Sequence, residues 1–138
     1  MNLTSLITDN IAELLVKIIE FTQTRQKILT ENINNIDNSW FVPKDLAVDE
    51  FSDLMEEALS EHIRSRRLLL CDTENIKFGV AGSFEVGPIV DEYAKELLEE
   101  NRAKYLELQI NKLLENSLNQ RVASELLKQK QGVVSIFE

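Results

Sequence analysis

Four asparagines and one aspartate fall within the seven residues 32–38, directly after a long helical pattern. Short amide and carboxylate side chains hydrogen-bond their own backbone and tolerate left-handed dihedrals, so such a run ends a helix without needing glycine. The chain must turn here before anything else begins. Pro43 reinforces the break, because it disfavours helix at Val42.

The pattern before the break is that of an amphipathic helix reaching from Leu3 to about Ile36. Ile7, Ile11, Leu14, Ile18, Phe21 and Ile28 occupy the a and d positions of a seven-residue template, which predicts that they face a partner helix near the C-terminus. The template also puts Arg25 and Asn32 in this seam, as register-setting positions. Leu3, Leu6, Leu15, Ile19 and Leu29 widen the stripe, so the helix is expected to touch more than one neighbour.

Beyond the break, Phe51, Leu54, Met55, Ala58, Leu59 and Ile63 predict a shorter helix over 50–67 with Asp49 as its cap. Residues 75–90 alternate: Ile76, Phe78 and Val80, a turn at Ala81 and Gly82, then Phe84 and Val86, the pattern of a small hairpin. Gly87 and Pro88 close it, and Asp91 is placed to cap the next helix. Residues 92–131 hold neither Pro nor Gly and predict a second long helix. Leu106, Ile110, Leu114, Leu118, Val122 and Leu126 recur every fourth residue, so this stripe winds around the helix and favours several contacts. Gly132 is expected to end the helix, leaving Val133, Val134, Ile136 and Phe137 as an apolar tail in need of cover. The expected fold is therefore mainly α, with two long terminal helices pairing as a coiled-coil-like hairpin around a shorter central helix and a small β-hairpin. It divides into 1–36, 37–90 and 91–138.

A chain of 138 residues with 43% hydrophobic content supports one domain's core. With 24 acidic and 15 basic residues, the net charge of -9 repels phosphate backbones and anionic membranes, so no nucleic-acid partner is expected. Arg64, Arg66 and Arg67, the one basic cluster, are read as complementing a helix C-terminus. The first residues do not combine basic side chains, an apolar run and a small-residue cleavage site, so a cleaved export signal is not expected, and no apolar run is long enough to insert in a bilayer.

No constellation of catalytic residues emerges. His62 is the single histidine and Cys71 the single cysteine, which removes paired-histidine zinc sites and internal disulfides. Cys71 is expected to be a small buried residue and His62 a structural one. Residues 79–82 have the outline of a GxxG loop but lack basic flanks, so a turn is the expectation. Adjacent carboxylates such as Glu56 and Glu57 point about 100° apart on a helix and make no acid-base couple. Neither enzyme activity, a metal, a cofactor nor a small-molecule substrate is expected.

Residues 25–37, Arg-Gln-Lys-Ile-Leu-Thr-Glu-Asn-Ile-Asn-Asn-Ile-Asp, resemble the N-terminal signature of flagellar basal-body rod proteins, the FlgB type in particular. That family continues with Thr-Pro-Gly and an aromatic; this chain has Asn38, Ser39 and Trp40 before Phe41. Val90, Asp91, Glu96, Asn101 and Tyr105 are similar to the start of the family's C-terminal helix. The resemblance implies a structural subunit of the proximal rod, located in the basal body's periplasmic part and exported by the type III route without a cleaved signal. It implies terminal helices that pair with each other and with neighbouring subunits, other rod proteins and copies of the chain. Asn32, Ile33, Asn35, Asp37, Asn38 and Phe41 then form the signature and bend, with Trp40 a candidate subunit contact. A helical adaptor or export chaperone is the alternative.

Overall fold

The computed structural model describes the backbone of residues 3–79 and 84–137 and the side chains of 10–79 and 84–132. The first helix, α1, runs from Leu3 to Asn34. Overlapping turns then unwind it: the Asn35 amide and side chain both donate to Glu31 O, Asn38 N donates to Asn35 O, and Phe41 N to Asn38 O. The bend uses right-handed turns throughout. Among the described residues the one non-glycine with positive φ is Arg66, so the asparagines act here through hydrogen bonds and not through left-handed dihedrals.

Two strands that alternation does not foretell come next in the fold, each only two residues long. β1 (Lys44–Asp45) pairs antiparallel with β4 (Ile89–Val90), Lys44 opposite Val90, and Asp91 N donates to Pro43 O. This staple fastens the chain just after the bend to the start of the C-terminal helices. Val90, expected to pair helices, is instead an exposed strand residue.

α2 spans Val48–Ser65. Its N-cap is Ala47, which makes no side-chain bond, so Asp49 serves in the first turn, where a carboxylate complements the helix dipole. Its C-cap, Arg66, has φ 63 and donates to the last-turn carbonyls of His62 and Ile63. β2 (Ile76–Phe78) and β3 (Phe84–Val86) make the hairpin, Ile76 opposite Val86 and Phe78 opposite Phe84. Val80 and the turn at Ala81 and Gly82 lie outside the described residues. Cys71, between α2 and the hairpin, is exposed, not buried as its apolar neighbours imply.

The core forms where α1 meets this central segment. Phe21, Leu46, Phe51, Leu54 and Ile76 are buried together, with Ile18, Ile28, Val48, Met55, Phe78, Phe84 and Val86 against them. Phe21 and Phe51 stack with centroids 4.0 Å apart and planes 8° from parallel. Phe21, expected to face the C-terminal helix, thus stacks on α2, and Ile18 and Ile28, of which the same was expected, pack against the same cluster. Aromatic rings bury the most area per residue, and the hairpin supplies two of them.

The expected single C-terminal helix is divided. α3 (Glu92–Glu100) is capped by Asp91, which accepts from Ala94 N at 3.1 Å. Asn101 interrupts it in an extended conformation, φ -152 and ψ 94. Its Oδ1 accepts from Lys104 N and its carbonyl from Tyr105 N, so it caps α4 (Arg102–Phe137). Asn101, expected to pair helices, instead separates two of them. α4 continues through Gly132, which does not end it, and packs along α1; the side chains of the expected apolar tail lie outside those described.

Candidate functional site

Asn32 sits on the last turn of α1, fully buried, with both ends of its amide in use. Its Nδ2 donates to Lys44 O at 2.8 Å and to Gln109 Oε1 at 2.9 Å, while its Oδ1 accepts from Lys44 N at 3.2 Å. Tyr105 OH donates to its backbone carbonyl at 2.8 Å. One asparagine thereby ties together the end of α1, strand β1 and α4. Burial, and then the nearby Asp91 carboxylate, push the Tyr105 hydroxyl up to about 12, so it remains a donor.

About two turns earlier on α1, Arg25 grips Asp45 through both oxygens, at 2.9 and 3.0 Å. Lys112 of α4 reaches the same carboxylate at 2.9 Å and Asp91 at 2.6 Å. Burial pushes the Asp45 carboxyl up, but Arg25 and Lys112 outweigh it and hold the group below its ordinary value. Burial likewise lowers Lys112, and its two aspartates more than reverse that. Further along, Asn116 Nδ2 donates to Thr22 O at 2.7 Å. The seam between the terminal helices is therefore polar through its middle, read by Arg25, Asn32, Gln109, Lys112 and Asn116. Buried charge and amide pairs add little net stability, yet they punish any slipped register, because a shift leaves each group desolvated without a partner.

At the far end, Asn10 Nδ2 meets His62 Nδ1 at 3.3 Å and donates to Arg66 O at 3.1 Å, joining α1 to the end of α2. Burial, followed by the charges of Arg66 and Lys130, lowers the His62 pKa, so the ring stays neutral and its nitrogen accepts.

Of the remaining signature residues, Ile33, Asn35 and Phe41 are half-buried, and Asn38 Oδ1 accepts from Trp40 N. Asp37 pairs with Arg102 at 2.8 Å, linking the bend to the start of α4. Trp40 is 89% exposed and lines a cleft of about 470 Å³ with Phe41, Leu98 and Arg102. In α1, Leu14 is buried and Ile11 half-buried, whereas the Ile7 side chain lies outside those described.

The polar seam turns the apolar stripe of α4 outward. Tyr105, Gln109, Asn116 and Ala123 point inward and are buried, which leaves Ile110, Leu114, Leu118, Val122 and Leu126 on the outer side. Leu114 is 65% and Leu118 60% exposed. The stripe borders a groove of about 630 Å³ between α1, α2 and α4, lined by Leu15, Ile18, Met55, Val122 and Leu126 among others.

The sequence singles out Arg25, Asn32, Asp91 and Tyr105 but passes over Gln109, Lys112 and Asn116. Their signal is polar: positions 105, 109, 112 and 116 recur at helical three-and-four spacing. Among the described residues, no helix is long and apolar enough to cross a membrane. Compared with known proteins, the chain matches no family model, no curated protein and no solved structure.

Proposed function

We propose that this chain is a structural subunit of the proximal rod of the bacterial flagellar basal body. It assembles through its terminal helices, with other rod proteins and copies of itself, into a helical tube in the periplasm. The observation that carries the reading is the position of the signature asparagine. Asn32 fixes the end of α1 against Lys44 and Gln109, so one residue of the signature on which the resemblance rests is among those that hold the two terminal helices in register. The exposed stripe of α4 supplies a surface for neighbours, and head-to-tail contacts that do not close produce a tube. Trp40 at the bend offers a second contact.

Binding of partner helices, as in an adaptor or export chaperone, is the second reading; the apolar groove beside α4 favours it. Cell fractionation separates the two. A rod subunit co-purifies with basal bodies, whereas a chaperone stays in a soluble complex with its client.

A further inference from the structure

The exposed row on α4 has a shape that selects its cover. A four-residue step overshoots the helical turn by about 40°, so the row slants across the helix as a ridge; two such ridges interdigitate when helices cross at about 50°. Glu115 and Arg121, both exposed, flank the centre of the row, about 60° to either side of Leu118. α4 is also the helix in which basic residues outnumber acidic ones, so two copies of this acidic chain meet there with the least repulsion.

We propose that a second copy of this chain covers the ridge. The two α4 helices cross in the same sense at Leu118 about a two-fold axis, with Glu115 of each beside Arg121 of the other. A two-fold that reversed the helices would oppose Glu115 to Glu115 and Arg121 to Arg121, so the charges choose the orientation. Such an interface is self-complementary and stops at two. It concerns the isolated chain: this pair must open before the same ridge can take the head-to-tail contact of the rod reading, and sedimentation of the purified chain tests it apart from basal-body incorporation.

Sedimentation of the purified full chain tests it. A single helix crossing makes a small interface, so a dimer forms with a Kd on the order of 10–100 µM. Leu118→Glu weakens association by roughly tenfold or more while helicity and the thermal midpoint stay unchanged, since Leu118 faces water in the single chain. Glu115→Arg and Arg121→Glu each weaken it about threefold or more, and mixing these two variants restores it, because the mixed pair regains both opposite-charge contacts. A wild-type chain monomeric well above that range overturns the proposal and leaves the ridge to a different protein. A dimer indifferent to Leu118→Glu, or a mixture no tighter than the separate variants, overturns it as well.

Discussion

Asp45 joins cations from both terminal helices, Arg25 of α1 and Lys112 of α4. With Asp45→Asn, Arg25 loses its counter-charge in a buried site and Lys112 keeps only Asp91. The expected loss is ~3–5 kcal/mol, read by urea denaturation. Replacing Arg25 and Asp45 together by Met and Leu restores most of it, since no buried charge is then left alone. The pH dependence comes from the direction of each shift. Asp45 sits below its ordinary 3.8, so its stabilisation is present above that value and disappears as pH falls through its folded-state pKa. Lys112 sits above 10.5, so its share is present below that value and disappears as pH rises through its own. His62 is lowered from 6.5; the folded chain prefers the neutral ring, and stability declines as pH drops below that. His62→Asn keeps an acceptor for Asn10 without a titrating ring, and should flatten the slope of the unfolding midpoint between about pH 5 and 7.

At the scale of elements, the stacked Phe21 and Phe51 pair joins α1 to α2. Phe21→Ala is expected to cost ~3–5 kcal/mol in the same denaturation measurement. The pair also marks the limit of what apolar spacing discloses. Helical spacing identifies α1 and its buried side, but the apolar pattern states which face is covered and not by what. The seven-residue template points Phe21 at the C-terminal helix, yet it stacks on Phe51 of α2. In α4 the leucine stripe reads as winding around the helix into several contacts, whereas Tyr105, Gln109 and Asn116 hold the buried face and most of the stripe is exposed. Asn101 reads as helix interior until its side chain is seen capping the next helix. The two-residue strands that hold the bend to α3 are too short to leave a periodic signal at all.

For the whole molecule, labour is divided: a polar seam fixes how the terminal helices pair, and an aliphatic ridge stays exposed on the outer side of α4, which the proposed function gives to neighbours. Ile18 and Phe21 lie in the core, so replacing them with Asp tests folding; variants of the ridge test assembly alone. Leu114→Glu with Leu118→Glu should leave the unfolding free energy within ~0.5 kcal/mol of wild type, as expected for exposed positions. The most direct measurement tracks the chain, wild type and ridge variant, through fractionation of the cells that make it into soluble extract and purified basal bodies. Wild type is expected to sediment with the basal bodies, and the ridge variant, equally stable, to remain in the extract with motility lost. Wild type wholly in the soluble fraction, or a ridge variant incorporated as efficiently as wild type, would contradict a rod subunit assembled through this ridge.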